Sequence, residues 1–242
     1  MTYFAIMSLA LAVCAGLLRR SQRHLPLSWQ QKLGIGLGAY CGAMIGAKLP
    51  FVLADWEGLR SGLAWLSHGK TILMGIVGGY FGVELAKWIL DVRVKTGDTF
   101  AIPVALAVAI GRLGCFWGGC CYGRPTDLPW GVVFATAAEA PTVPRHPTQL
   151  YEAAFHTGLA ALLVLLAQRD LLRYQRLKLY LIAYLAYRFF SEWWRPEPIV
   201  AGGLTGYQWA ALALTPVFAG LWWRDAVRHG STSPAAQIAS LH

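Results

Sequence analysis

Three cationic side chains stand within long apolar stretches of this sequence: Lys48, Arg112 and Arg188. A charge at the depth of a lipid bilayer is costly, so such residues usually mark a site or path for a substrate or an ion. Glu192 follows Arg188 by one helical turn and can orient that guanidinium group from the same helix face. Arginine binds phosphate through two N–H groups at once and keeps its proton. The pattern predicts an anion site formed by Lys48, Arg112 and Arg188, with Glu192 beside Arg188.

The alternative for these residues is structural. The three cations would then pair with Asp98, with Glu192 or with backbone carbonyl groups, and would only hold a helix bundle together. Three cations in an apolar core are more than stability requires, because each one is unfavourable in lipid. We therefore favour the anion site.

A glycine-rich stretch at 111–124, GRLGCFWGGCCYGR, surrounds the first of these arginines. Glycine at a helix end permits a positive φ and lets backbone N–H groups face a phosphate. Helix packing alone would explain most glycines elsewhere in the chain. Here we expect Gly111, Gly114, Gly123 and Arg124 to help bind the anionic substrate.

Three of the five cysteines cluster in this stretch: Cys115, Cys120 and Cys121. The first interpretation is a disulfide from Cys115 to Cys120 or Cys121, because adjacent cysteines rarely bond each other without strain. The second is a set of reactive thiols, acting as a redox pair or as a covalent lipid carrier. A metal site is disfavoured, because a fourth ligand is missing unless His146 supplies it.

The segment 118–149 is the longest predicted loop. Its five prolines predict a rigid, turn-rich structure with little helix. His146 lies near its end, followed by Tyr151 at the entry to the next helix. A lone histidine is more often a hydrogen-bonded structural residue than a base. Its place before a membrane helix keeps a catalytic role for His146 open.

The composition decides which elements must position these residues. Hydrophobic residues form 56% of the chain and charged residues 14%, whereas a soluble domain averages about 25% charged residues. The sequence therefore predicts an all-α integral membrane protein, with one polytopic domain at 1–230 and a disordered cytoplasmic tail at 231–242. Seven apolar segments of spanning length can be recognised. They lie at about 2–18, 33–53, 71–90, 99–117, 150–168, 177–194 and 205–223.

Lysine and arginine are distributed unequally over the loops. Twelve fall on one side of the predicted membrane and five on the other. Cytoplasmic loops carry the excess of positive charge, which puts the N-terminus outside, the C-terminus in the cytoplasm and the 118–149 loop on the outer face. The net charge of +9 reflects this topology. Because these residues form no single basic patch, nucleic-acid binding is not expected.

Small residues recur in the second and third segments, as GIGLGAYCGAMIGAK at 34–48 and GIVGGYFG at 75–82. Their four-residue spacing is typical of membrane helices whose backbones approach closely.

The motif GRLG-x₈-GRPTDLPWGVVF at 111–134, followed by PRHPTQLYE at 144–152, resembles the signature of bacterial prolipoprotein diacylglyceryl transferases. GAK at 46–48 is similar to a family Gly-x-Arg, with Lys48 in the place of arginine, and Asp98 matches an aspartate that opens the fourth helix. The run YLAYRFFSEWWRP at 184–196 adds Tyr184 and Arg195.

The resemblance implies a seven-helix enzyme of the bacterial inner membrane. It would move the diacylglyceryl group of phosphatidylglycerol, or of another anionic phospholipid, to a lipobox-like cysteine of a protein acceptor. No cofactor is implied. The resemblance implies catalytic roles for Arg112, Arg188 and Glu192. The predicted substrate-binding residues are Lys48, Asp98, Gly111, Gly114, Gly123, Arg124, Tyr151, Tyr184 and Arg195.

The chain also departs from the family pattern. Cys115 stands where the family has asparagine, and Cys120 where it has glutamate. The third helix lacks the family histidine, which makes His146 the candidate base. These departures favour a divergent paralogue and leave an alternative function open: another acceptor, lipid binding or transport, or thiol redox chemistry.

Overall fold

The computed structural model describes residues 2–62, 71–135 and 142–230, and helices dominate it. The helices are α1 (Thr2–Gln22), α2 (Trp29–Ala54), α3 (Trp56–Ser61), α4 (Ile72–Ile89), α5 (Gly97–Trp117), α6 (Thr148–Gln168), α7 (Arg176–Ser191) and α8 (Gly206–Gly230). The strands are β1 (Val132–Val133), β2 (Pro144–Arg145), β3 (Ile199–Ala201) and β4 (Leu204–Thr205), and a 3-10 turn covers Glu192–Trp194.

Within the described ranges, five helices are long and apolar enough to cross a membrane: α1, α2, α4, α5 and α6. The all-helical architecture is confirmed and fits a membrane protein. The sixth and seventh predicted segments also form helices, but α7 has 16 residues, and α8, with 25, is less apolar. The count of seven spans stays a prediction. The predicted tail at 231–242 lies outside the described residues.

The connection between α5 and α6 contains turns and one small hairpin. Strand β1 pairs antiparallel with β2, with Val132 opposite Arg145. The N–H of Gly123 donates to the carbonyl oxygen of His146 (2.8 Å), and the N–H of His146 donates to that of Arg124 (3.0 Å). These bonds hold the start of the loop beside its end. Residues 136–141 of the loop lie outside the described part.

The chain divides into two compact units, one of which is Gln22–Lys95. In this unit α2 packs along α4 through glycine faces. A Cβ atom on Gly42 would lie 2.8 Å from the Cα of Gly82, and one on Gly46 would lie 2.9 Å from the Cα of Gly78. Only glycine permits such an approach, so the predicted close packing of these two helices is confirmed.

The other unit holds the chain up to Ser21 and from Thr96 onward. In it α5 packs against α6 and α7, and α7 against α8. The start of α5, at Asp98, is hydrogen-bonded to the start of α7. The Asp98 carboxylate accepts hydrogen bonds from the backbone N–H groups of Tyr174 (2.6 Å) and Arg176 (3.1 Å), where a helix start lacks internal partners.

Candidate active site

Glu152 is the centre of a buried group of charged side chains in the second unit. It lies on the second turn of α6 and is 0% exposed. Arg112 Nη2, from the last turns of α5, lies 2.8 Å from each of its carboxylate oxygens. The Tyr184 hydroxyl, from α7, donates to Oε1 at 2.6 Å. One carboxylate therefore joins three helices.

Two further arginines approach the same carboxylate from the end of α7. Arg188 Nη1 lies 3.8 Å and Arg195 Nη1 3.7 Å from Glu152 Oε2. Glu192 pairs with Arg188 Nη2 and accepts a hydrogen bond from the Thr205 hydroxyl at 3.0 Å. The one-turn spacing predicted for Arg188 and Glu192 thus brings them together.

We call Arg112, Arg188, Arg195, Glu152 and Glu192 the arginine–glutamate cluster. Its five members are buried. Within the cluster three positive charges face two negative ones, and Arg195 Nε also lies 3.7 Å from the carboxylate of Glu197 outside it. Among the described residues, five guanidinium nitrogens of the cluster have no hydrogen-bond partner. They are Arg112 Nε, Arg188 Nε and Nη1, and Arg195 Nε and Nη1. Buried donors without partners are costly, so an anion that accepts from them would be bound strongly.

An aromatic pocket lies beside the end of the 118–149 loop. Its volume is about 420 Å³, and Leu128, Trp130, His146, Tyr151 and Trp194 line it. The Tyr151 hydroxyl accepts a hydrogen bond from Trp130 Nε1 (2.8 Å) and lies 3.3 Å from His146 Nδ1. Burial lowers the pKa of His146. A neutral imidazole at physiological pH can accept a proton, which keeps His146 a candidate base.

Arg124 and Gly123 support this region through the backbone. Arg124 is exposed; its N–H donates to the carbonyl oxygen of Trp194 (2.8 Å) and its Nε to that of Arg195 (2.7 Å). A Cβ on Gly123 would lie 2.7 Å from the Cβ of His146. Both residues thus fix the loop against the chain that carries Arg195.

Gly111 and Gly114 lie beside α1. A Cβ on Gly114 would lie 3.1 Å from Met7 Cε and 3.3 Å from Ile6 Cγ2, and one on Gly111 3.8 Å from Met7 Sδ. Both glycines therefore allow α1 to pack against α5, and their part in substrate binding stays a prediction.

Asp98 is also not brought into the cluster. It opens α5, whereas Arg112 lies fourteen residues further along the same helix. At 1.5 Å per residue, the two are separated by about 21 Å. Its carboxylate binds the chain at the start of α7, as described above, and its part in substrate binding stays a prediction. Lys48 lies on α2 in the Gln22–Lys95 unit, and its part in substrate binding stays a prediction.

The three clustered cysteines do lie together. Their sulfur atoms are within 4.8 Å of one another, and all three are free thiols in this structure, as are Cys14 and Cys41. The disulfide expected from Cys115 is not formed here, and it stays a prediction for oxidised protein. Hydrogen bonds with Cys115 and Cys120 lower the pKa of the Cys121 thiol.

Sequence reasoning missed the central residue, Glu152, and its neighbour His156. His156 is 0% exposed, its Nε2 lies 3.9 Å from Glu152 Oε1, and its Nδ1 lies 3.1 Å from the Tyr180 hydroxyl. The sequence did contain a signal for them, because Glu152 and His156 are two polar residues four positions apart on an apolar helix. The Tyr207 ring, 4.2 Å from the Arg188 guanidinium carbon, was missed as well.

The five long apolar helices fit a membrane protein, and the buried arginine–glutamate cluster lies where α5, α6 and α7 meet. The profile of a family described as prolipoprotein diacylglyceryl transferase matches residues 1–224. The phosphatidylglycerol–prolipoprotein diacylglyceryl transferase of Clostridium tetani is 32% identical over 202 residues, which cover 81% of each chain. That of Cupriavidus metallidurans is 33% identical over 214 residues, or 81% of this chain and 75% of the relative. The chain belongs to the prolipoprotein diacylglyceryl transferase family.

Proposed function

We propose that this protein is a membrane enzyme that transfers a diacylglyceryl group from phosphatidylglycerol to a cysteine thiol of a prolipoprotein. The observation that carries the proposal is the arginine–glutamate cluster, with three buried arginines and five guanidinium nitrogens that have no hydrogen-bond partner among the described residues. The relatives named for this activity support it.

The phosphate of the lipid would bind at Arg112 and Arg188, with Arg195 beside them. Each guanidinium group presents N–H donors in a plane that matches two phosphate oxygens. Glu152 and Glu192 fix the orientation of these groups before the substrate arrives. Donors that are already aligned stabilise charge that develops on the leaving group in the transition state.

The transfer is a displacement at the glycerol carbon that carries the phosphate ester. The acceptor sulfur forms a bond to this carbon while the carbon–oxygen bond breaks, and glycerol phosphate leaves with the electron pair. The thiol proton passes to a base. Since Thr71–Gly75 lacks the family's third-helix histidine, we assign this role to His146.

The aromatic pocket beside His146 suits the acceptor. Trp130, Tyr151 and Trp194 offer broad apolar contact together with polar edges. An acceptor peptide whose cysteine enters between this pocket and the cluster would bring its thiol to the lipid headgroup. We propose a lipobox-like cysteine as this acceptor.

The proposal includes a topology. Seven membrane spans, an outer N-terminus, a cytoplasmic C-terminus and one domain through residue 230 would put the 118–149 loop on the outer face of the bacterial inner membrane. The distribution of lysine and arginine supports this arrangement.

The direct test incubates purified protein with phosphatidylglycerol vesicles and a synthetic lipobox peptide, and follows the peptide by mass spectrometry. We expect a peptide whose mass has grown by one diacylglyceryl group, together with released glycerol phosphate. Phosphatidylcholine vesicles and a peptide with serine in place of cysteine are the controls. An unmodified peptide at a protein concentration equal to that of the peptide would overturn the proposal.

A further inference from the structure

The cysteine cluster has no part in the transfer step proposed above. Its sulfurs lie within 4.8 Å of one another, and exposure increases along the chain from buried Cys115 to half-buried Cys120 and exposed Cys121. The cluster is therefore covered by protein at Cys115 and accessible to a ligand at Cys121. Such an arrangement is suited to binding a small ligand.

The end of α5 produces this arrangement through its cap. The N–H of Cys120 donates to the carbonyl oxygen of Cys115 (3.1 Å), and the N–H of Gly119 donates to that of Phe116 (3.1 Å), with Gly119 at φ 62°. These are the two hydrogen bonds and the left-handed residue of a Schellman motif. The motif places the residue that follows the glycine, Cys120, beside the residue five positions before it, Cys115.

The next residue is held in an unusual conformation. Cys121 has φ 63°, a left-handed value that is rare for residues other than glycine. The carbonyl oxygens of this turn are anchored by α6, where Gln149 Nε2 donates to Cys120 O (2.6 Å) and Thr148 Oγ1 donates to Cys121 O (2.9 Å). Backbone strain that the surroundings maintain is common at functional sites.

The number of donor atoms decides the class of ligand. In the described part of the chain, the group of possible ligand atoms within 4.8 Å of one another holds three sulfurs and nothing else. Structural zinc sites take four ligands, whereas soft thiolates select cuprous copper as well as zinc. A disulfide would use only two of the three sulfurs.

We propose that Cys115, Cys120 and Cys121 bind one cuprous ion through three thiolate sulfurs. The three S–H protons pass to water as the ion enters from the exposed side at Cys121, and copper keeps its oxidation state. Three thiolates and one cuprous ion carry two negative charges. Arg112 is close enough to interact electrostatically with all three sulfurs, and its positive charge offsets part of this excess.

The test uses the purified full-length protein in detergent, fully reduced and under nitrogen. Cuprous ion is titrated in competition with a chromophoric cuprous chelator. We expect one equivalent to bind, and we expect X-ray absorption to report three sulfur neighbours. Cys115→Ser, Cys120→Ser and Cys121→Ser should each weaken binding at least tenfold, whereas the Cys14→Ser/Cys41→Ser double variant should bind as the unchanged protein does.

Circular dichroism and thermal unfolding establish that each variant is folded. Cuprous binding by the Cys120→Ser or Cys121→Ser variant that is as tight as in the unchanged protein would overturn the proposal, as would zinc ion that competes at equal concentration. A reduced, folded protein that binds no cuprous ion would also overturn it. If the protein isolated without reductant is two mass units lighter and its reduced form binds no copper, the cluster is a disulfide site.

Discussion

At the scale of single residues, the site depends on Glu152, since its carboxylate lies within 4 Å of guanidinium nitrogens from three arginines. Glu152→Gln keeps the shape of the side chain and removes its charge. Within the cluster, Glu192 would then be the one remaining carboxylate for three buried arginines. Breaking a buried ion pair by removing one partner costs about 3–5 kcal/mol. We expect a large fall in the thermal unfolding temperature measured in detergent.

Asp91→Asn is the matched control for this change. Asp91 pairs with Arg93 at 3.5 Å, and both side chains are exposed. An exposed pair contributes about 0–1 kcal/mol, so the unfolding temperature should change little. Equal effects of the two substitutions would show that Glu152 does not hold the cluster.

The role of His146 predicts how transfer depends on pH. Because burial lowers the pKa of His146 below its usual value of about 6.5, the ring is neutral at pH 7 and can accept the thiol proton. As the pH falls through this lowered pKa, the ring is protonated and the initial rate of peptide modification should fall. His146→Gln should be slow and should lack this acidic limb. The exposed His24→Gln variant should keep the full profile, and an unchanged profile in His146→Gln would assign the base elsewhere.

The sequence was sufficient to predict the cations of the site but not their common partner. Arg112 and Arg188 are conspicuous because they interrupt apolar helices. Glu152 lies near the start of such a helix, where a carboxylate is common and does not stand out. Only the packing of α5, α6 and α7 shows that one carboxylate serves all three arginines.

At the scale of elements, the contact between α2 and α4 requires glycine at specific positions. A Cβ on Gly42 would meet the backbone of α4, whereas one on Gly36 of the same helix meets nothing within 4 Å among the described residues. Gly42→Ala should therefore lower the thermal unfolding temperature by several degrees. Gly36→Ala should leave it unchanged or raise it, since alanine favours helix by about 1 kcal/mol over glycine. Equal effects of the two variants would contradict the close packing.

The presence of the helices could be predicted from the lengths of the apolar segments. The structure at the ends of the helices could not. The sequence predicts phosphate contacts for Gly111, Gly114 and Gly123 together, whereas in the structure Gly114 packs on α1 and a neighbouring glycine, Gly119, caps α5. A glycine permits close packing and a left-handed turn equally well. Which of the two applies depends on what lies opposite, and this information is absent from the local sequence.

At the scale of the whole molecule, the distribution of charge predicts the orientation in the membrane. Twelve basic residues on one side against five on the other predict a cytoplasmic C-terminus. A reporter enzyme that is active only in the cytoplasm should therefore be active when fused after Arg224. The same reporter inserted at Thr126, in the loop that carries His146, should be inactive. The reverse pattern would contradict the proposed topology.

The central claim is that the arginine–glutamate cluster binds the phosphate of phosphatidylglycerol, and native mass spectrometry of the protein with defined lipids measures this directly. The protein should bind one phosphatidylglycerol in preference to phosphatidylcholine. Arg188→Lys should remain folded and lose at least tenfold in affinity, because lysine cannot make the two-pronged contact, whereas the exposed Arg169→Lys should bind normally. Equal phosphatidylglycerol binding by all three proteins would contradict the account.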